Sequence, residues 1–169
     1  MTGTGKKHFT GGCLCEAVTF EVNGTLREII ACHCGQCRKT SGNFLAATNC
    51  ANDALTLLND RGLAWFKSSG KAERGFCKEC GSVLFWRAFG GDEISISAGA
   101  FNGETGLSIR EHIYVADKPD WYDITDGKPQ KPVWDRTSPV SPRSLHPFSG
   151  AGLFIPITET FLNGPSPWY

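Results

Sequence analysis

Gly11-Gly12-Cys13-Leu14-Cys15-Glu16-Ala17-Val18-Thr19-Phe20 is the stretch on which the reading of the fold turns. Its two cysteines find their counterpart far along the chain in Cys77-Lys78-Glu79-Cys80-Gly81. Two thiolates with two residues between them can grip one tetrahedral zinc at about 2.3 Å. Gly81 suits the left-handed turn that aims backbone amides at the sulfurs. A Cys-x-Cys pair on an extended strand would point both side chains to one face, so it too can hold a single metal. Cys13, Cys15, Cys77 and Cys80 then make a complete set of four thiolates, and a closed set is a structural site.

Between these pairs lies Cys32-His33-Cys34-Gly35-Gln36-Cys37. It offers three thiolates and no obvious fourth ligand. Three protein ligands plus an open position is the ligand count of a catalytic zinc. Cys50 or His33 could close the site instead, but His33 is flanked by two ligands on one short loop, and Cys50 reads as a small buried residue. Disulfides explain the pattern poorly, because neighbours one residue apart form strained bridges. Nor does the text around Cys34-Gly35-Gln36-Cys37 resemble the βαβ setting of a thioredoxin-like motif, which would also leave Cys32 unexplained.

Working outward, 169 residues suit one domain with a tail. Ala17–Val22, Ala54–Leu58, Gly62–Lys67, Val83–Arg87, Ile94–Ala98 and His112–Val115 mix β-branched, aromatic and polar residues as strands do. Asn23-Gly24, Ser69-Gly70, Gly90-Gly91 and Asn102-Gly103 break them. No long stretch carries a 3.6-residue apolar stripe, and the best short helix is Gly35–Thr40. The expectation is antiparallel sheet with little helix over a domain at 9–130. From 131 to 169 the chain is Pro-rich and apolar, holding most of the nine prolines. Such a segment either covers its own domain or packs as an arm on a second copy, making a homo-oligomer.

Lys+Arg and Asp+Glu balance at 17 each, so there is no basic field for nucleic acid. No run is long and apolar enough for a membrane span, and the first residues lack the unbroken apolar run of a signal peptide. A cytoplasmic protein is expected. Seven thiolates and two zinc ions leave the domain about three charges negative. Arg38 and Lys39 follow Cys37, and Arg74 and Lys78 flank Cys77. These cations either neutralise the thiolates or, for Arg38 and Lys39, hold an anionic substrate.

In this order, G-G-C-L-C-E-A-V-T-F at 11–20, C-H-C-G-Q-C-R-K-T-S-G at 32–42, R-G-F-C-K-E-C-G-S at 74–82 and S-A-G-A-F at 97–101 resemble the glutathione-dependent formaldehyde-activating (CENP-V-like) family. H-I-Y-V-A-D-K-P-D-W-Y at 112–122 is similar to its closing stretch. The resemblance implies a mainly β fold, the β-tent, in which coiled antiparallel sheets surround a structural zinc. By position it implies that Cys13, Cys15, Cys77 and Cys80 hold that zinc. It also implies that Cys32, Cys34 and Cys37 form a second, catalytic zinc site. The implied activity is a carbon–sulfur lyase that interconverts glutathione plus formaldehyde with S-(hydroxymethyl)glutathione. The competing class is a zinc-built protein-binding module without catalysis, since one scaffold can serve both.

Overall fold

A computed structural model describes residues 7–134. The apolar extension expected from 131 onward lies, past Trp134, outside the described residues. In chain order the elements are β1 (His8–Gly12), β2 (Thr19–Asn23), β3 (Ile29–Cys32), α1 (Gly35–Ser41), β4 (Leu45–Ala51) and β5 (Leu55–Asn59). They continue with β6 (Leu63–Lys67), β7 (Ala72–Cys77), β8 (Val83–Ala88), β9 (Glu93–Ser97), β10 (Ile109–Ile113) and β11 (Gln130–Lys131). The fold is mainly β, as the sequence leads one to expect, and α1 is its one α-helix among the described residues.

Two sheets form. One has the order β1-β2-β5, the other β11-β10-β3-β4-β9-β8-β7-β6. Alternation builds the core: Phe20 and Val22 on β2 and Ile94 and Ile96 on β9 face inward, two residues apart as the pleat requires. Phe20 meets Phe85 edge-on at 5.4 Å and Phe101 at 5.5 Å, which ties the small sheet to the large one. Burying each such ring stabilises the fold by roughly 1.5–3 kcal/mol.

The sheets are not purely antiparallel. β10 pairs in parallel with β3 and with β11. A parallel neighbour needs a long connection, and here the whole of β4 to β9 lies between β3 and β10 in the chain. β10 also stops earlier than its apolar pattern suggests, because Tyr114 takes a left-handed conformation with φ 56°. The parallel pairing holds the cysteine loop from both sides. β3 ends at Cys32 and leads directly into α1, with β4 on one side and β10 on the other.

Gly62 sits at a close approach between the two cysteine pairs' chain segments. Its N–H donates to the Ala17 carbonyl, and its carbonyl accepts from the Lys78 N–H. A Cβ there would lie 2.7 Å from the Ala17 side chain and 3.0 Å from the Cys77 sulfur. Gly62→Ala should therefore cost about 1–3 kcal/mol by overpacking. Urea denaturation should show a lower midpoint with the slope unchanged.

Candidate active site

The four sulfurs of Cys13, Cys15, Cys77 and Cys80 all lie within 4.8 Å of one another. Cys13 and Cys15 are 3.6 Å apart, and Cys15 and Cys77 are 3.7 Å apart. The first pair sits on a turn after β1, not on an extended strand. The Cys13 carbonyl accepts from the Glu16 N–H, and Glu16 turns left-handed at φ 60°. The second pair sits where β7 ends, and Gly81 has the expected positive φ, 77°. The surroundings suit thiolates: the Val18 N–H donates to the Cys13 sulfur at 3.2 Å, and the Ser82 hydroxyl lies 3.2 Å from the Cys80 sulfur. The Ser82 contact pulls the Cys80 pKa down to about 5. Cys15 goes the other way: the Ala17 N–H favours its thiolate, but burial and the crowd of Cys80, Cys13 and Cys77 outweigh that bond and push it up to about 12. Four sulfurs this close cannot all ionise by themselves. A divalent cation among them removes the conflict, so the group fits a metal ion.

Cys32, Cys34 and Cys37 also gather within 4.8 Å. Local structure does this. Cys32 is the last residue of β3, Cys34 is the N-cap of α1, and Cys37 is the buried residue of that helix. The Cys34 sulfur accepts from the Cys37 N–H at 3.5 Å. Bonds from the Cys32 and Cys37 thiols pull the Cys34 pKa down to about 2, against the burial that opposes ionisation. The same contacts with Cys34 and Cys37 push Cys32 far up. By itself the cluster carries one charge comfortably and resists more, so it too fits a divalent cation. Among the described residues no fourth Cys, His or carboxylate joins it.

Arg74, expected beside Cys77, reaches the other cluster. From β7 its Nη2 lies 3.6 Å from the Cys37 sulfur and 3.2 Å from Oε1 of Gln36. Tyr114, just past β10, feels all three sulfurs. Burial first, then the negative charge of Cys32 and Cys34, raises its pKa and keeps the phenol protonated.

His33 is fully buried and turned to a different task. Its Nε2 lies 2.8 Å from Nδ1 of His112, whose Nε2 lies 3.0 Å from the Asp126 carboxylate. The ring packs on Phe44 at 5.1 Å and Tyr122 at 5.9 Å. Burial lowers its pKa, with His112 and Lys118 adding to the effect. With the His33 N–H donating to the Ile113 carbonyl, this stack clamps the cysteine loop onto β10. No motif in the sequence singles out His112 or Asp126, whose only signal is their place in or near the closing stretch.

Cys50 is buried on β4 in the core and outside both clusters; burial, with Glu93 and Asp53, pushes its thiol up to about 11. Arg38 and Lys39 lie on α1, Arg38 with its Nε buried and unpartnered, Lys39 exposed. Neither lines the two cavities beside the clusters, to which α1 contributes Thr40 and Ser41.

A family profile described as glutathione-dependent formaldehyde-activating enzyme matches residues 8–117, a span that takes in both clusters. The chain belongs to this family. Within the glutathione-dependent formaldehyde-activating family it is similar to a Schizosaccharomyces pombe protein named an uncharacterized lyase. The two are 29% identical over 119 residues, 70% of this chain and 86% of that protein. The crystal structure of a Rhodobacter sphaeroides protein is 22% identical, covering 57% of this chain and 90% of its own, with a TM-score of 0.48. Among the described residues no helix is long and apolar enough to cross a membrane.

Proposed function

We propose that the chain is a zinc-dependent carbon–sulfur lyase acting on the adduct of a small thiol and an aldehyde, glutathione and formaldehyde being the leading pair. The observation that carries this reading is the three-cysteine cluster, gathered within 4.8 Å with no fourth ligand among the described residues. The four-cysteine group is the structural zinc site in this reading. A zinc ion held by three thiolates is soft and weakly acidic, so it favours a thiol over water at its open position and supplies a site where that thiol ionises.

The protein's own groups then account for the rest. In the synthetic direction the thiolate sulfur adds to the aldehyde carbon, the C=O π bond breaks, and the new alkoxide oxygen takes a proton. In the lyase direction the C–S bond breaks and the carbonyl re-forms. Tyr114, which feels the charge of the cluster and keeps its proton, can serve as the donor to that oxygen. His33 is committed to His112 and stays out of it.

The test uses protein loaded with Co²⁺. Glutathione should change the visible absorption as a further sulfur ligand is added, S-methylglutathione should change it little, and a thiol–aldehyde adduct assay should show turnover. Identical spectra with and without glutathione, and no turnover, would overturn this reading in favour of a binding module.

A further inference from the structure

Cys32, Cys34 and Cys37 bring three sulfurs within 4.8 Å of one another, and among the described residues no fourth Cys, His or carboxylate joins them. Each thiol meets the other two. Cys32 is in hydrogen-bonding contact with Cys34 and Cys37, and Cys34 with Cys37 as well. The backbone builds these contacts in. The end of β3, the N-cap of α1 and the first turn of α1 fix where the three side chains start. Cys37 is buried, while Cys32 and Cys34 are half-buried and within reach of solvent.

Zinc prefers four ligands, and on three thiolates it leaves a net negative charge in a half-buried place. A thiophilic centre that takes three sulfurs and ends with no net charge suits the same group better on both counts. Trivalent arsenic is such a centre. It forms three covalent bonds to sulfur in a pyramid, and its own lone pair fills the fourth position. Thiolates select soft partners, and a neutral product avoids the cost of burying a charge.

We propose that the three-cysteine cluster is a binding site for trivalent arsenic, taken up as arsenous acid. Each thiol proton passes to one hydroxyl of As(OH)₃. Three As–O bonds give way to three As–S bonds, and three waters leave. Arsenic stays trivalent, so no oxidant or reductant enters, and a divalent ion on the same sulfurs departs. Only the three sulfurs are required, so the assignment goes beyond the lyase reading and survives its failure.

The other thiols suit arsenic less. The four-cysteine group would leave one sulfur over, and its members come from two distant segments, the turn after β1 and the end of β7. Cys50 is buried on β4, outside both groups. Gathering matters, because thiols already held together lose less freedom on binding than separate small thiols do.

The experiment uses the full chain, kept reduced with a phosphine, and two probes read by intact mass spectrometry. Arsenite offers arsenic three bonds to sulfur, and phenylarsine oxide offers it two. Relative to the metal-free chain, arsenite should add one arsenic in place of three protons. Phenylarsine oxide should add one in place of two. Arg27 and Arg38 bracket the three cysteines, so trypsin should release the arsenic on the single peptide 28–38.

Cys34→Ser keeps an acceptor at the cap of α1 and leaves Cys32 and Cys37 as a pair. It should weaken arsenite about a hundredfold or more, as loss of one link in a chelate implies, yet change phenylarsine oxide little. Cys32→Ser should give the same pattern, with circular dichroism checking that both variants fold. Arsenic recovered on peptides carrying Cys15, Cys50 or Cys80 would overturn the proposal. So would the loss of only two protons to arsenite, no binding at a large excess, or a Cys34→Ser effect that is absent or equal for the two probes.

Discussion

Cys80→Ser is expected to yield protein that aggregates or is digested within minutes by a protease that leaves the parent intact. A structural zinc site contributes on the order of 10 kcal/mol of apparent binding free energy, which is comparable with the roughly 5–15 kcal/mol that holds a whole domain together. The four sulfurs are the point where the turn after β1 meets the end of β7. Cys77 is fully buried, and Gly62 bridges the two segments through Ala17 and Lys78. Loss of one ligand therefore loosens both sheets at their junction. Thermal unfolding and limited proteolysis are the measurements. A soluble variant with an unchanged melting temperature would end the assignment of these four cysteines to one structural metal.

Cys34→Ser should do the opposite: keep the fold, lose one metal per chain and reduce turnover to background. The reason it folds lies in its position. Cys34 is the N-cap of α1, and its sulfur accepts from the Cys37 N–H. Serine is among the best N-cap residues, so the helix keeps its acceptor. The clamp from His33 to His112 and Ile113 is untouched. What goes is the sulfur whose pKa the cluster draws down to about 2, the one most ready to bind a cation. Metal analysis beside circular dichroism and an adduct assay gives all three readouts. A variant that retains both metals and turnover would remove the cluster from the chemistry.

The two cysteine groups are legible in the sequence because their signal is largely local. Spacing within a short loop or turn sets which sulfurs can meet, and the expected partition into four and three is the grouping the fold produces. The strands that mix β-branched, aromatic and polar residues between glycine breaks, such as β2, β5, β6, β8 and β9, are legible for the same reason. β3, β4 and β7 do not stand out as strands: Ile29–Cys32 and Ala72–Cys77 merge with the cysteine words, and Leu45–Ala51 is rich in alanine, a weak strand former. The parallel pairing of β3 with β10 and the reach of Arg74 to Cys37 depend on contacts between distant parts of the chain, which no local pattern encodes. His112 and Asp126 escape notice because a hydrogen bond between a buried histidine and an exposed carboxylate has no spacing rule.

The separation of partners along the chain has a consequence for how the protein is made. Cys15 leaves the ribosome 62 residues ahead of Cys77, to which its sulfur belongs. β3, with the three-cysteine loop attached, waits longer still for β10. By the time Cys77 emerges, six of the thiols are already translated and none has its finished surroundings. The nascent chain is thus most exposed to oxidation and to capture of the wrong metal before it can fold, since non-local pairings form slowly. Oxidation of the early thiols would spend the very sulfurs that let the two groups fit a metal ion.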